Sequence, residues 1–145
     1  MFHKISNITA LSDLRLCVQF AEGVTKIYEL KPLLKKIPAF KIFESRPELF
    51  EDVQVDVGGH GIVWNDEVDL SCDELWENGK VVKTPFDGLM ALSDATVIWG
   101  LNESTLRKAI SYGKLIDGID VHKFGKQWLV STDALIQEYG LPKTS

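Results

Sequence analysis

The stretch that decides the fold of this chain, residues 92–139, reads LSDATVIWGLNESTLRKAISYGKLIDGIDVHKFGKQWLVSTDALIQEY. Its apolar residues recur at helical spacing over residues 93–99 and again over residues 103–112. Between these segments, Gly100-Leu101-Asn102 interrupts the pattern. The sequence therefore predicts two short helices joined by a tight turn that contains glycine, the arrangement called a helix-turn-helix.

Each predicted helix has its own start signal. Ser93 and Asn102 are predicted N-caps, because their side chains accept hydrogen bonds from free backbone amides, and Gly113 is the predicted stop of the second helix. Three apolar residues of that helix are expected to face the first helix: Leu106, Ala109 and Ile110. Four polar or basic residues are expected to face outward: Ser104, Arg107, Lys108 and Ser111.

A hairpin and a third helix are predicted after the helix pair. Residues 119–124 and 127–130 flank Gly125-Lys126, which is typical of a tight hairpin turn. Lys123 and Lys126 are then expected at the hairpin tip. The third helix is predicted over residues 132–139, with Thr132 as its cap and Gly140 as its stop. Four hairpin residues are expected to pack back onto the helices: Val121, Phe124, Trp128 and Val130.

This order of elements resembles the winged helix-turn-helix domains of excisionases and mercury-resistance regulators. The resemblance implies a DNA-binding domain whose second helix enters the major groove. The residues that carry it are Ala95, Trp99-Gly100-Leu101-Asn102, Ser104-Thr105-Leu106-Arg107-Lys108-Ala109-Ile110, Gly113-Lys114-Leu115 and Lys123-Phe124-Gly125-Lys126-Gln127-Trp128.

The predicted DNA contacts lie on the second helix and on the hairpin. Residues at the helix start are expected to reach base edges: Asn102, Glu103, Ser104 and, if it is not packed, Thr105. Arg107 and Lys108 are expected to contact base or phosphate, and Lys123 and Lys126 the neighbouring phosphates. Helix pairs of this kind also occur in proteins that never bind DNA, so a protein-contact role is the alternative.

The distribution of charge favours a specific DNA-binding protein. The chain has a net charge of −5, which argues against indiscriminate nucleic-acid binding. Between residues 104 and 128 the balance is reversed, because only Asp117 and Asp120 oppose five basic side chains: Arg107, Lys108, Lys114, Lys123 and Lys126. A local basic surface on an acidic protein is typical of a transcriptional regulator.

Composition and cysteine usage predict a packed protein of the cytoplasm. The chain has 145 residues and 45% hydrophobic content, which suffices for a core. It contains no apolar run of membrane-span length and no signal-peptide pattern. Cys17 and Cys72 are far apart and are predicted to be buried, reduced thiols. We expect an α+β domain over residues 1–80, a connector over residues 81–88 and the helix-turn-helix domain over residues 89–145.

The first domain is predicted to begin with three strands, over residues 5–10, 14–20 and 24–28. A helix follows over residues 31–36, with Pro32 in its first turn. Further strands are predicted over residues 53–57 and 62–64, across a turn rich in glycine. Ser71 and Glu74 have capping-box spacing and are expected to open a helix that ends at Gly79.

Residues 4–80 resemble a family of small bacterial proteins of unknown function. Members are often encoded beside toxin–antitoxin-like partners and sometimes joined to a helix-turn-helix, which implies a role in protein interaction or regulation and supplies no catalytic residues. The matching residues are Asp13-Leu14-Arg15-Leu16, Phe20-Ala21-Glu22-Gly23, Tyr28, Leu33-Leu34, Phe50, Gly61-Ile62-Val63-Trp64, Asp69-Leu70-Ser71 and Leu75-Trp76.

An enzymatic or metal-binding role is not favoured. The most suggestive cluster has the spacing of no known ligand set, and acidic residues in turns usually bond to their own backbone. We therefore expect no cofactor, no metal and no catalytic site. The expected partners are double-stranded DNA, a second copy bound through the N-terminal domain, and in the antitoxin-like alternative a small protein. The residues of the cluster are Asp56, His60, Asp66, Glu67 and Asp69.

Overall fold

The computed structural model describes residues 2–142. These residues fold into two compact units. One unit contains Phe2–Phe20 and Val24–Thr84, and the other contains Ala21–Gly23 and the described residues 85–142. Each unit has its own hydrophobic core. Helices and strands occur in both, so the predicted α+β class is confirmed.

The N-terminal unit contains a four-stranded antiparallel sheet with the strand order β1-β2-β3-β7. Alternate residues of β2 are buried, as their period of two predicts, and they face the core: Leu16, Val18 and Phe20. Leu14 was predicted in this strand but lies in the preceding turn at φ 55°. The four strands are β1 (Ile5–Leu11), β2 (Arg15–Phe20), β3 (Val24–Glu29) and β7 (Lys80–Val82).

A second, three-stranded sheet of this unit has the order β4-β5-β6 and consists of β4 (Gln54–Val55), β5 (Gly61–Asn65) and β6 (Val68–Ser71). The predicted strand over residues 53–57 is shorter, because residues 57–59 form a 3-10 turn. Strand β6 was not predicted. At Gly61 a side chain would not fit, since its Cβ would lie 2.4 Å from the carbonyl oxygen of Leu70.

The helices of the N-terminal unit are short. Together with the two sheets they enclose one hydrophobic core. They are α1 (Lys31–Lys36), α2 (Ile42–Ser45) and α3 (Cys72–Asn78). The predicted capping box is present in part, because the Ser71 hydroxyl accepts a hydrogen bond of 3.1 Å from the backbone amide of Glu74. Trp64 packs against the aromatic core and donates its indole N–H to the carbonyl of Phe50. Both cysteines are free thiols; Cys72 is buried and Cys17 is half-buried.

The C-terminal unit combines three helices with a three-stranded antiparallel sheet of order β8-β10-β9. Its core joins residues from all three helices and from the sheet, including Ala95, Leu106, Val130 and Leu135. The helices are α4 (Leu92–Trp99), α5 (Glu103–Ser111) and α6 (Thr132–Tyr139), and the strands are β8 (Leu89–Ala91), β9 (Val121–Phe124) and β10 (Gln127–Ser131). Strand β8 was not predicted.

Two predicted caps are wrong. Ser93 lies inside α4, whose N-cap is Ala91, so its hydroxyl does not cap the helix. Helix α6 is capped by Ser131, whose hydroxyl accepts a hydrogen bond of 3.4 Å from the amide of Ala134, and Thr132 is the first helical residue. The observed N-cap therefore lies two residues before the predicted one in α4 and one residue before it in α6.

Candidate nucleic-acid interface

Helix α5 has one buried side and one exposed side. Leu106 and Ala109 are buried in the core of the C-terminal unit, and Ile110 is half-buried, as their helical spacing predicts. The opposite side is accessible to solvent along the whole helix. Its exposed residues are Glu103, Ser104, Thr105, Arg107, Lys108 and Ser111.

Asn102 occupies the N-cap position of α5, as predicted, but only its backbone carbonyl bonds to the first turn of the helix. Its carbonyl oxygen accepts hydrogen bonds from the amides of Thr105 and Leu106, at 3.0 and 3.4 Å. Its side chain is exposed and makes no capping hydrogen bond. Thr105 is also exposed and is not packed into the core. Both side chains therefore remain accessible at the start of the helix.

Glu103 and Arg107 form a salt bridge one turn apart on the exposed side of α5. Glu103 Oε1 accepts hydrogen bonds from Arg107 Nε at 3.1 Å and from Arg107 Nη2 at 2.7 Å. A guanidinium has two edges that can donate a pair of hydrogen bonds. Since the carboxylate takes the Nε–Nη2 edge, the Nη1–Nη2 edge of Arg107 has no partner among the described residues.

The hairpin has the predicted two-residue turn. Phe124 pairs with Gln127 across Gly125 and Lys126, and Gly125 has φ +63°, in the left-handed region that glycine favours. Lys126 is exposed at this turn. Lys123 is exposed one residue before Phe124, and its ammonium lies 5.7 Å from the centre of the Trp128 ring.

One predicted packing contact of the hairpin is wrong. Phe124 is 58% exposed, whereas Val121 and Val130 are buried, and Trp128 is partly buried against the core. The reason is the period of two along a strand, because Val121 and Phe124 are three residues apart and so point to opposite faces. Phe124 lies on the outer face with His122, and their rings are 4.6 Å apart.

The acidic residues of this segment are engaged in the loop between α5 and β9. The Asp120 carboxylate accepts a hydrogen bond of 2.8 Å from the amide of Ile116. Asp117 lies 4.0 Å from His122 Nδ1. Lys114, which was not among the predicted DNA contacts, is exposed just after Gly113.

The acidic cluster of the N-terminal unit does not assemble into a ligand set. Asp56 Oδ1 accepts hydrogen bonds from the backbone amides of His60 and Gly61, at 3.0 and 3.1 Å, and so holds the glycine-rich turn. The His60 ring stacks on Phe2 with 4.4 Å between ring centres. Over residues 2–142, no group of three or more His, Cys, Asp or Glu side chains is arranged to hold a metal ion, and no helix is both long and apolar enough to cross a membrane.

Residues 5–81, more than half of the chain, match the model of the family described as "Protein of unknown function (DUF2442)". A solved structure from Nitrosomonas europaea ATCC 19718, described as a "Putative DNA Binding Protein", resembles the chain with a TM-score of 0.47 and 18% sequence identity, over 80% of each chain. No curated protein matches the chain. The predicted relationship of the N-terminal part to a family of unknown function is therefore confirmed, and the winged-helix resemblance of the C-terminal part stays a prediction.

Proposed function

We propose that this chain, which belongs to the DUF2442 family, binds specific sites in double-stranded DNA through its C-terminal unit and regulates transcription in the cytoplasm. The proposed domain is a winged helix-turn-helix in which α4 and α5 are the helix pair and the β9–β10 hairpin is the wing. The observation that supports it best is the amphipathic character of α5, whose inner side is anchored in the core while its outer side is a row of exposed polar and basic residues. The role is non-enzymatic and requires no cofactor.

In the proposed complex, α5 lies in the major groove with its first turn against the bases. Asn102, Ser104 and Thr105 offer hydrogen-bonding groups of the kind that read base edges. Arg107 presents its Nη1–Nη2 edge, which matches the O6 and N7 acceptors of guanine. Lys108 contacts base or phosphate from the same helix.

The wing supplies contacts that do not depend on sequence. Lys123 and Lys126 are exposed on the hairpin and bind phosphates of the neighbouring backbone in the proposed complex. Because the whole chain carries a net charge of −5, binding is limited to the surface where the basic residues are concentrated.

The test is selection of genomic DNA fragments by the full chain, followed by titration of the enriched site. We expect one enriched sequence, and we expect the triple variant Arg107→Ala, Lys108→Ala, Lys126→Ala to lose binding to it. The matched control is Lys35→Ala, Lys41→Ala, Lys83→Ala, which removes the same number of exposed positive charges from the N-terminal unit. Equal loss in both variants, or no loss in the first, would refute the proposed interface.

A protein-interaction role, as in an antitoxin-like binder, is the second candidate. The observation that favours it is an apolar patch around the outer face of the three-stranded sheet, where Leu89, Ile119 and Phe124 are 36%, 75% and 58% exposed. Exposed apolar patches of this kind are typical of protein contacts. A pull-down from the native cell extract with wild type and Phe124→Ser separates the two roles. One stoichiometric partner that depends on Phe124, without any enriched DNA, would favour the second.

A further inference from the structure

The N-terminal unit contains a cavity of about 580 Å³ beside strand β3, and the proposed DNA-binding surface makes no use of it. This volume is in the usual range for small-molecule sites. Its apolar wall includes Ile27 of β3, Leu33 of α1 and Val82 of β7. Polar and charged side chains from β3, α1, α3 and β7 complete the lining, so the cavity has both an apolar wall and a charged rim.

A carboxylate is held in a fixed position in this cavity. Glu74 Oε2 accepts a hydrogen bond of 2.8 Å from the Tyr28 hydroxyl and one of 2.9 Å from Asn78 Nδ2. Burial, and then the neighbouring Glu74, raise the pKa of Tyr28 well above its ordinary value, so the hydroxyl remains a donor. Glu74 Oε1 has no hydrogen-bond partner among the described residues. The carboxylate is thus oriented by the protein and still has an acceptor for a ligand.

Charges of both signs line the same cavity without neutralising one another. Glu29 and Glu74 contribute two carboxylates, and Lys36 and Lys80 contribute two ammonium groups. Among the described residues, none of these four groups forms an ion pair within 4.0 Å. A small molecule with one ammonium and one carboxylate would complement both signs, whereas a simple cation or anion would meet repulsion from one pair.

We propose that this cavity binds a small zwitterion of the amino-acid class with an apolar side chain. Its ammonium group donates to Glu74 Oε1, and its carboxylate lies near Lys36 and Lys80. Its side chain packs against the apolar wall formed by Leu33, Ile27 and Val82. Charge-assisted hydrogen bonds of this kind are about twice as strong as neutral ones, so both charged ends of the ligand contribute.

The test is calorimetric titration of the full chain with L-leucine, L-methionine and L-phenylalanine. The amino acid that binds most tightly is then compared with two derivatives. Its N-acetyl derivative lacks the ammonium charge, and its amide lacks the carboxylate. We expect each derivative to bind roughly tenfold more weakly or worse, because each lacks a hydrogen bond to a charged group. The dipeptide leucyl-leucine distinguishes a peptide from a free amino acid as the source of the zwitterion. Tighter binding of the dipeptide would still support a zwitterionic ligand and would identify it as a short peptide.

Variants assign the two ends of the ligand. Glu74→Gln should abolish the preference for a free ammonium group, while Glu77→Gln, an exposed change on the same helix outside the cavity, should bind as wild type does. With Lys36 and Lys80 both changed to Ala, the amino acid and its amide should bind equally, a result that does not depend on how well the Glu74 variant folds. No saturable binding of any of these zwitterions, or equal binding of the N-acetyl derivative, would overturn the proposal.

Discussion

At the scale of single residues, Glu103 determines which edge of Arg107 is available. The 2.7 Å bond from Nη2 and the 3.1 Å bond from Nε hold the guanidinium along the helix. Replacing Arg107 by Ala should weaken binding to the selected site by roughly 1–3 kcal/mol and remove discrimination at one base pair. Competition titrations with single-base variants of the site measure this loss.

Glu103→Ala tests the orienting role separately. In the proposed complex α5 faces DNA, so removal of this carboxylate reduces repulsion with phosphate and total affinity should not fall. Discrimination should fall, because Arg107 is no longer held with one edge free. Replacing the contacted guanine by 7-deazaguanine, which lacks the N7 acceptor, should therefore weaken wild-type binding more than Glu103→Ala binding. Equal sensitivity of both proteins to 7-deazaguanine would contradict the orienting role.

Tyr28 makes the stability of the N-terminal unit sensitive to high pH. Burial and its hydrogen bond to Glu74 raise its pKa from the ordinary value of 10.0. An acid whose pKa is raised by folding releases its proton more readily in the unfolded state, so its contribution is complete below pH 10 and is lost above it. Chemical unfolding measured from neutral pH upward should show stability falling from about pH 10. Tyr28→Phe should make the free energy of unfolding fall less steeply with pH in this range. An unchanged dependence on pH would refute the role of Tyr28.

At the scale of elements, the position of a serine relative to the helix start decides its effect on stability. Ser131 caps α6, whereas Ser93 lies inside α4. Ser131→Ala should cost about 1 kcal/mol of the free energy of unfolding, because the amide of Ala134 loses its acceptor. Ser93→Ala should change it by less than about 0.5 kcal/mol, since the substitution is exposed and alanine favours the helix. Urea unfolding of both variants measures the difference, and equal costs would contradict the observed caps.

The β9–β10 hairpin should determine the salt dependence of binding. Lys126 lies at its turn and carries no base-specific contact in the proposed complex. Lys126→Ala should weaken binding to all sequences equally and lower the slope of log affinity against log salt concentration by about 1. Lys83→Ala, which removes an exposed charge from the N-terminal unit, should leave this slope unchanged. A loss restricted to the selected site would place Lys126 against a base instead.

At the scale of the whole molecule, we predict a homodimer formed by the N-terminal unit, because the single winged helix proposed above would make few contacts with DNA and paired half-sites increase affinity. The four-stranded sheet has β1 and β7 at its edges, and an edge strand is the simplest self-complementary surface. Sedimentation of the full chain should give a dimer, and a fragment that begins at Thr84 should be monomeric. A dimeric fragment, or a full chain that stays monomeric at high concentration, would contradict the prediction.

The sequence by itself determined the features that depend on neighbouring residues. Helix α1 has the predicted bounds, and α5 has the predicted start and the predicted buried side. Both follow because helical spacing and N-terminal signals depend only on residues within a few positions of each other. The hairpin turn at Gly125-Lys126 is likewise as predicted, since φ +63° is favourable for glycine. The exposure of Ser104, Arg107, Lys108 and Ser111 follows from the same helical spacing.

The tertiary structure decided the features that depend on distant residues. Strands β6, β7 and β8 have three or four residues each and were not predicted, because so short a segment becomes a strand only when a partner strand pairs with it. The cavity depends on Tyr28 meeting Glu74, 46 residues later in the chain. The same dependence explains why Phe124 points outward, since only pairing with β10 fixes which face of β9 is covered. Burial and strand pairing depend on the whole fold, whereas turns and helix ends depend on a few adjacent residues.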